Sequence, residues 1–297
     1  MRIALATCRD LPDWEIDDRP LHAAFAARGV ELAHPVWNDP TVDWSSFAAV
    51  LIRTTWDYQE HREEFVAWAE RVAGRTRLFN PPGVVRWNTH KSYLRELADL
   101  GAPLAPTVWL EAGAQVTIRQ ILEYYPWERA FIKPLVGATA RETLRFRADE
   151  EGLARAQAHL ERLLPHEALM IQPYLPGIEE EGELSAVYFD GEFSHGVRKI
   201  PVPGDYRAQD DFGASDEPWS FGPDELDLAD GVLRLAERRF GRLLYARIDF
   251  LRGPDGDLLL NEFEAVEPSL FFRHAPEAAG RLADALLGRL AAAGATP

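Results

Sequence analysis

The sequence predicts a mixed α/β protein (α+β overall) with parallel β-structure in its first part and antiparallel β-structure in its last. In the first part, short apolar strand patterns alternate with amphipathic helix patterns, which is typical of a doubly wound parallel sheet. In the last part, pairs of β-rich runs are separated by turn sequences that favour hairpins. The chain of 297 residues is long enough for two or three packed subdomains that share a site.

The first part is predicted to be a parallel unit with its ligand side at the carboxyl ends of the strands. Strand patterns cover Arg2 to Cys8, VELAHPVW, Ala48 to Trp56 and Thr76 to Pro81, and helix patterns cover Leu21 to Ala27 and Glu60 to Ala73. Gly29 and Gly74 follow the two helix patterns, where glycine commonly ends a helix. The turn RTTWDY, from Arg53 to Tyr58, lies at such a strand end, and Pro81 to Gly83 is predicted to be a linker.

The rest of the chain is predicted to form two further units. A helix from about Asn88 to Leu100 precedes a compact α+β unit, and the strand Ala168 to Leu175 is expected to leave that unit. The strands of the compact unit are APTVWL, AFIKPL and LRFRA, and its helices are Ile118 to Tyr125 and Asp149 to Leu164. Hairpins at Asp190-Gly191 and at GPDG, with helices over Glu225 to Arg239 and Pro276 to Leu290, make up the last part. We expect domains at 1–86, 87–171 and 172–297.

The composition excludes several classes of protein. There are 32 Lys and Arg against 48 Asp and Glu, a formal charge of −16, so we expect no nucleic-acid partner. The lone Cys8 cannot form an intrachain disulfide. No apolar run is long enough to span a bilayer, and the N-terminus lacks the pattern of a signal peptide. The expectation is a soluble cytoplasmic protein without a membrane partner.

Common nucleotide, metal and hydrolase motifs are missing from the sequence. There is no GxxxxGK[ST] loop and no GxGxxG after the first strand pattern, which argues against a P-loop and a dinucleotide fingerprint. There is also no CxxC, HExxH or GxSxG motif for a zinc site or a nucleophilic serine.

Acidic side chains on two neighbouring strand patterns are the strongest local signal. Glu262 and Glu264 lie two residues apart and therefore on one face of a strand, and the GPDG hairpin would bring Asp249 beside them. Carboxylate oxygens of this kind suit Mg²⁺ or Mn²⁺. The alternative is a solvated outer strand face, since alternating strands often expose acids.

Lysines within apolar strand patterns are the second signal. Lys133 lies in AFIKPL and Lys199 lies in GVRKIP, and a lysine in a buried strand needs an anionic partner such as a phosphate. The alternative is an edge-strand lysine whose ammonium group reaches solvent. The loop from Val136 to Thr143, between two strands, can present backbone N–H groups to phosphates.

The order of these pieces resembles the ATP-grasp superfamily, especially bacterial glutathione synthetase and its relatives. WNTHKSYL resembles the helix with the first phosphate lysine, which implies that Lys91 binds phosphate. FIKPLVGATARETLRF resembles the lysine strand and phosphate loop, which gives those roles to Lys133 and Gly137. LMIQPYLPGIEEEGEL resembles the hinge strand, with Gln172, Tyr174 and Leu175 around adenine and Glu183 reaching the ribose.

The same resemblance assigns the reacting end of the site. RKIPVPGDYRAQDDFGAS implies that Lys199 is a phosphate-side cation and that Arg207 acts at the reacting centre, with Lys133 as a further catalytic cation. RIDF and NEFEAVEPS resemble the metal-binding strands, which would make Asp249, Glu262 and Glu264 the ligands of Mg²⁺ (or Mn²⁺). The sequence departs from the superfamily where Glu264 stands in place of the usual Asn.

The N-terminal part narrows this resemblance to a small branch that includes the cyclo-ligase of the cycloserine pathway, which closes O-ureidoserine. The implied activity is ATP-dependent carboxylate–amine ligation or cyclisation of a small amino-acid-like substrate through an acylphosphate. A nucleotide-binding regulatory module and a small-molecule phosphotransferase are the alternatives, and superfamily relatives make a homodimer possible. From their place at predicted strand ends or near the metal strands, the substrate contacts are expected to be Arg53, Thr54, Asp57 and Arg273.

Overall fold

The computed structural model describes residues 1–11, 16–137, 140–208 and 212–294, which form three sheets and the helices around them. The strands are β1 (Arg2–Thr7), β2 (Glu31–Ala33), β3 (Ala49–Thr54), β4 (Arg77–Phe79), β5 (Val108–Leu110), β6 (Arg129–Pro134), β7 (Leu144–Arg147), β8 (Leu169–Pro173), β9 (Glu183–Phe189), β10 (Glu192–Ile200), β11 (Ser215–Trp219), β12 (Tyr245–Arg252) and β13 (Leu258–Glu264). The α-helices are α1 (Arg19–Ala26), α2 (Arg62–Ala73), α3 (Pro82–Asn88), α4 (Ser92–Asp99), α5 (Ile118–Tyr124), α6 (Glu150–Leu163), α7 (Gly177–Glu180), α8 (Pro223–Phe240) and α9 (Ala278–Gly294). Short 3₁₀ helices cover Ile16–Asp18, Trp44–Ser46 and Trp56–Glu60.

The N-terminal sheet is parallel, in the order β2-β1-β3-β4, which confirms the prediction for the first part of the chain. Every residue of β3 is buried, as expected for a strand covered on both faces. One face packs on α1 and α9, and the other packs on α2, where Phe65 and Trp68 are fully or almost fully buried. The last helix of the chain thus returns to the first sheet.

The central sheet is antiparallel, in the order β5-β8-β6-β7. The prediction that the strand from Ala168 leaves this unit is wrong, because β8 lies between β5 and β6. Side chains alternate along β6: Ala130 and Ile132 face the core under α5 and α6, so Phe131 and Lys133 point to the other face. That face borders the candidate site.

The C-terminal sheet is antiparallel, in the order β11-β10-β9-β12-β13, and it contains both predicted hairpins. Asp190 and Gly191 have φ values of 50° and 77°, the left-handed backbone that a two-residue hairpin turn requires. Strand β11 was not predicted, because Pro218 interrupts its pattern; β11 pairs only with β10, and proline is tolerated on such an edge. Helix α8 covers one face of the sheet, and the other face carries the charged residues described below.

The segment between the first two sheets differs from the prediction. Pro82 occupies the first turn of α3, so Pro81 to Gly83 is the start of a helix and not a linker. The helix predicted from Asn88 begins instead at Ser92. Asn88 is the last residue of α3. Its side chain donates to the Phe263 carbonyl (2.6 Å) and accepts from the Ala265 N–H (2.7 Å). In the described residues, no helix is long and apolar enough to cross a membrane.

Asn80 joins the parallel sheet to the C-terminal sheet, and we expect its replacement by Ala to destabilise the protein. Its amide donates to the carbonyls of Tyr245 and Ala265 (2.8 Å each) and accepts from the Leu244 N–H (2.9 Å), all in a fully buried position. Losing these partners should lower the free energy of unfolding by about 3 kcal/mol. Urea unfolding measures the change. The exposed Asn38→Ala is the control, and an equal midpoint for both variants would contradict the prediction.

Candidate functional site

A cavity of about 260 Å³ lies where β6, the charged face of the C-terminal sheet and the 3₁₀ helix Trp56–Glu60 meet. Nine of the residues predicted to act on nucleotide, metal or reacting centre line it: Lys91, Lys133, Gly137, Glu183, Lys199, Arg207, Asp249, Glu262 and Glu264. They come from four separate stretches of sequence between Lys91 and Glu264, which the fold brings to one place.

The three acids Asp249, Glu262 and Glu264 converge in this cavity. Asp249 pairs with Glu262 across β12 and β13, and one carboxylate oxygen from each residue lies within 4.8 Å of the others. The alternative of a solvated outer strand face is wrong, since the Asp249 side chain is 1% exposed. Three oxygen donors at this spacing fit a hard divalent cation.

Cations surround these acids and set their ionisation. Arg247 holds both Asp249 oxygens, with Nε at 2.9 Å from Oδ1 and Nη2 at 2.9 Å from Oδ2, and it also contacts Glu264. Lys199 Nζ lies 3.2 Å from Asp249 Oδ2 and also pairs with Glu183. Burial acts to raise the pKa of Asp249, but Arg247 and then Lys199 outweigh it and hold that pKa below its usual range.

Lys91, directly before α4, and Lys133 of β6 differ in their partners. The Lys91 ammonium group pairs with Glu262. Lys133 makes no ion pair within the part of the chain that the structure describes, and its Nζ lies 5.5 Å from the centre of the Phe131 ring. Burial lowers the pKa of Lys133, an effect that Glu262 opposes and Lys91 reinforces. Lys133 is therefore a half-buried cation whose charge is left for a ligand to match.

The family comparisons agree with this arrangement. Residues 3–80 match the model of the N-terminal domain of the D-cycloserine synthetase DcsG. The chain is 34% identical to the cycloserine biosynthesis protein DcsG of Streptomyces lavendulae over 294 residues, which are 93% of this chain and 94% of that protein. The chain belongs to the DcsG family of ATP-grasp ligases. It is an ATP-dependent ligase, as the resemblance implied.

Solved structures give the same assignment of fold. The crystal structure of D-cycloserine synthetase DcsG superimposes with a TM-score of 0.87 at 31% identity, over 98% of this chain and all of that one. The D-alanine–D-alanine ligase of Bacillus anthracis complexed with ATP gives a TM-score of 0.71 at 15% identity, over 99% of this chain and 98% of that chain. The predicted ATP-grasp fold is thereby confirmed.

The residues predicted to hold adenine lie outside the lining of the cavity in this ATP-grasp ligase. Gln172 donates to the Thr107 hydroxyl (2.9 Å). The Tyr174 hydroxyl bonds to Glu179, and the Arg129 guanidinium lies 4.3 Å from the Tyr174 ring centre. The adenine roles of Gln172, Tyr174 and Leu175 stay predictions. Glu183 does line the cavity, and its ribose role also stays a prediction.

The four residues predicted to bind substrate do not line the cavity. Arg53 is buried against Asp18 (2.8 and 2.9 Å) and the Pro268 carbonyl (3.0 Å). The other three are held as follows: Thr54 by the Thr7 hydroxyl at 2.7 Å, Asp57 by Trp37 Nε1 at 2.7 Å, and Arg273 by Asp216 at 2.9 Å. Partners within the chain take up their charges and polar groups, as Glu183 and Asp249 do for Lys199, and the substrate roles of these four residues stay predictions.

Two loops complete the cavity. Gly137 lies at its edge, and Arg141 from the same loop bonds to Glu167 (2.9 Å). Arg207 donates a hydrogen bond from Nε to Asp205 Oδ1 (3.0 Å). Its guanidinium carbon lies 3.8 Å from the centre of the Phe212 ring. Ala138 and Thr139 of the predicted phosphate loop, and residues 209–211 after Arg207, lie outside the described residues.

Part of the cavity lining consists of residues without a predicted role. Arg247 lies two residues before Asp249 on the same strand, so the spacing rule that paired Glu262 with Glu264 would have found it. Trp56 and Tyr58, from the turn RTTWDY, line the cavity together with Glu267. No local motif identified Glu267 as a lining residue, because its place depends on how the chain turns after β13.

Proposed function

We propose that this ATP-grasp ligase is a Mg²⁺-dependent (or Mn²⁺-dependent) carboxylate–amine ligase or cyclo-ligase acting on a small amino-acid-like substrate through an acylphosphate. The observation that carries the proposal is the convergence of three carboxylates and several cations on one cavity. Both a triphosphate and a carboxylate substrate are anions, so a site that brings them together must offset their repulsion.

The residues fit the proposed chemistry in a simple order. A substrate carboxylate oxygen attacks the γ-phosphorus of ATP, and the bond to ADP breaks. Lys91, Lys133 and Lys199 offset the phosphate charge. A nitrogen nucleophile then attacks the acyl carbon, loses a proton and expels phosphate. Arg247 and Arg207 stabilise charge at the transferring phosphoryl group and on the oxyanion that follows.

Asp249, Glu262 and Glu264 would hold the divalent cation. Their oxygens are hard donors within 4.8 Å of one another, which fits Mg²⁺. When bound, Mg²⁺ would offset the charge of the β- and γ-phosphates and orient them.

The remaining assignments complete the proposal. Gln172, Tyr174 and Leu175 would contact adenine, Glu183 the ribose and Gly137 a phosphate. The unit 87–171 would act as the lid between 1–86 and 172–297, and its closure over the cavity would protect the acylphosphate from water.

The test is turnover of O-ureidoserine, the substrate that the branch resemblance puts first, with ATP and Mg²⁺. ADP and phosphate release with a cyclised product supports the proposal. A stable phosphorylated product would show a phosphotransferase instead. ATP binding without any chemistry, across O-ureidoserine and a panel of other amino acids, would show a nucleotide-binding module.

We expect Lys133→Met to weaken ATP binding. The variant keeps the length and packing of the side chain but removes the cation that has no ion pair among the described residues. The dissociation constant for ATP should rise by about 10- to 100-fold, the usual value of a charge-assisted hydrogen bond. Titration calorimetry with a non-hydrolysable ATP analogue measures it. Arg147→Met, on the neighbouring strand β7, exposed and outside the cavity lining, is the control; equal affinity of both variants would contradict the prediction.

A further inference from the structure

One acidic side chain in the cavity differs from the others in its partners. The acids that line the cavity are Glu183, Asp249, Glu262, Glu264 and Glu267. The first four each pair with Lys91, Lys199 or Arg247. Glu267 forms no ion pair with any residue that the structure describes. Its carboxyl group is therefore left for a ligand to pair with, as the ammonium group of Lys133 is.

Glu267 belongs to a wall of the cavity that the nucleotide and metal assignments do not use. Its backbone carbonyl accepts a hydrogen bond from Trp56 Nε1 (3.1 Å), and its carboxyl group lies beside the Tyr58 hydroxyl. Ser269 and Phe271 continue this wall along the same segment. Lys133 and Gly137, in contrast, come from the central sheet and its loop.

Tyr58 is fixed in place by packing. Its ring stacks on Phe65 of α2 at 5.1 Å between centres and 25° between planes, and only 6% of the residue is exposed. The hydroxyl is therefore fixed beside the Glu267 carboxyl group, and that carboxyl group keeps acceptor capacity for a ligand donor.

The surroundings of Glu267 favour a cationic ligand. Burial, reinforced by the charge of Glu264, raises the pKa of Glu267 to about 8, so the charged form is poorly stabilised by the protein alone. An ammonium group beside it would stabilise that form, and three N–H donors could satisfy the carboxylate.

We infer that Glu267, positioned by Tyr58, binds the protonated amino group of the substrate. The inference rests on the proposed function and adds to it a substrate class: amino acids whose amino group is free and stays outside the reaction. A substrate that lacks the amine would leave Glu267 unpaired and should be a poor one.

The test compares O-ureidoserine with its deamino analogue, which keeps the carboxylate and the ureido group. The wild-type enzyme should prefer O-ureidoserine in kcat/KM by about 10- to 100-fold. Glu267→Gln should remove most of that preference by raising KM for O-ureidoserine, while KM for ATP and for the analogue changes little. Tyr58→Phe should reduce the preference by a smaller factor. The exposed Glu277→Gln is the matched control and should behave as the wild type does.

The remaining outcomes overturn the inference. An unchanged preference in Glu267→Gln would do so, with thermal unfolding confirming that the variant is folded. An equal loss of kcat on both substrates would point to proton transfer, and a raised Mg²⁺ requirement with the preference intact would point to a metal ligand. If the wild-type enzyme neither binds nor turns over either compound, the proposed function fails as well. If Glu267→Gln turns over both compounds with the wild-type preference, only the role of Glu267 is rejected.

Discussion

Asp249→Asn is expected to reduce turnover by about 10³-fold, the largest effect of any single change in the cavity. The variant keeps the volume of the side chain and an oxygen for Ser185, whose hydroxyl lies 2.6 Å from Asp249 Oδ1. It removes one of three charged oxygen donors that lie within 4.8 Å of one another. Divalent-cation stabilisation of phosphoryl transfer is worth several kcal/mol, and each 1.4 kcal/mol is a factor of ten in rate.

The measurement is kcat as a function of Mg²⁺ concentration. Asp249→Asn should need more Mg²⁺ for its residual activity, because one anionic ligand is lost. Asp255→Asn lies in the turn of the same hairpin, is exposed, and should leave both quantities unchanged. Unaltered Mg²⁺-nucleotide affinity and turnover in Asp249→Asn would reject the whole assignment of the metal site.

Much of this site could be predicted because strand geometry and ordered motifs carry the information. Side chains two apart share a strand face, so Glu262 and Glu264 were paired correctly, and the GPDG turn brought Asp249 beside them. Asp190-Gly191 fixed the other hairpin, because that dipeptide readily adopts the backbone of a tight turn. Lys133 and Lys199 followed from their positions inside apolar strands, whereas Lys91 followed only from the family resemblance.

The part of the lining around Glu267 could not be predicted because it depends on tertiary contacts. The turn RTTWDY does border the cavity, but Arg53 and Asp57 were chosen for their charge. Asp18 forms an ion pair with Arg53, and Trp37 donates a hydrogen bond to Asp57. Both partners are distant from the turn in sequence. The side chains of the turn that line the cavity are the aromatic Trp56 and Tyr58, and no pattern within the turn indicates their orientation.

Charge alone is therefore a poor guide to ligand contacts inside a protein with many ion pairs. The informative feature is a buried charge that the chain does not match, because such a charge is costly unless a ligand supplies the partner. Among the described cavity residues, Lys133 and Glu267 are half-buried and form no ion pair, and they come from different parts of the cavity lining. In the proposed function, Lys133 would meet an anion and Glu267 a cation.

Arg247→Met is expected to lower kcat by about 10²- to 10³-fold, the effect of losing one donor that stabilises charge at a reacting centre. Arg247 lines the cavity, and its guanidinium bridges Asp249 and Glu264 while its Nη1 donates to the Ser269 carbonyl at 3.0 Å. It thus connects Asp249 and Glu264 to the segment that carries Glu267. Removing it should also weaken metal binding, because two neighbouring acids lose the cation that orients them.

Arg247→Lys separates geometry from charge. Lysine supplies the charge but cannot hold both Asp249 oxygens with a planar fork, so we expect it to recover only part of kcat while restoring the Mg²⁺ requirement more fully. Arg252→Met, at the end of the same strand and paired with Glu181 and Glu225 outside the cavity lining, should change stability but not kcat. Full activity in Arg247→Lys would show that only a positive charge is needed there, and an unaffected kcat in Arg247→Met would remove this residue from the reacting centre.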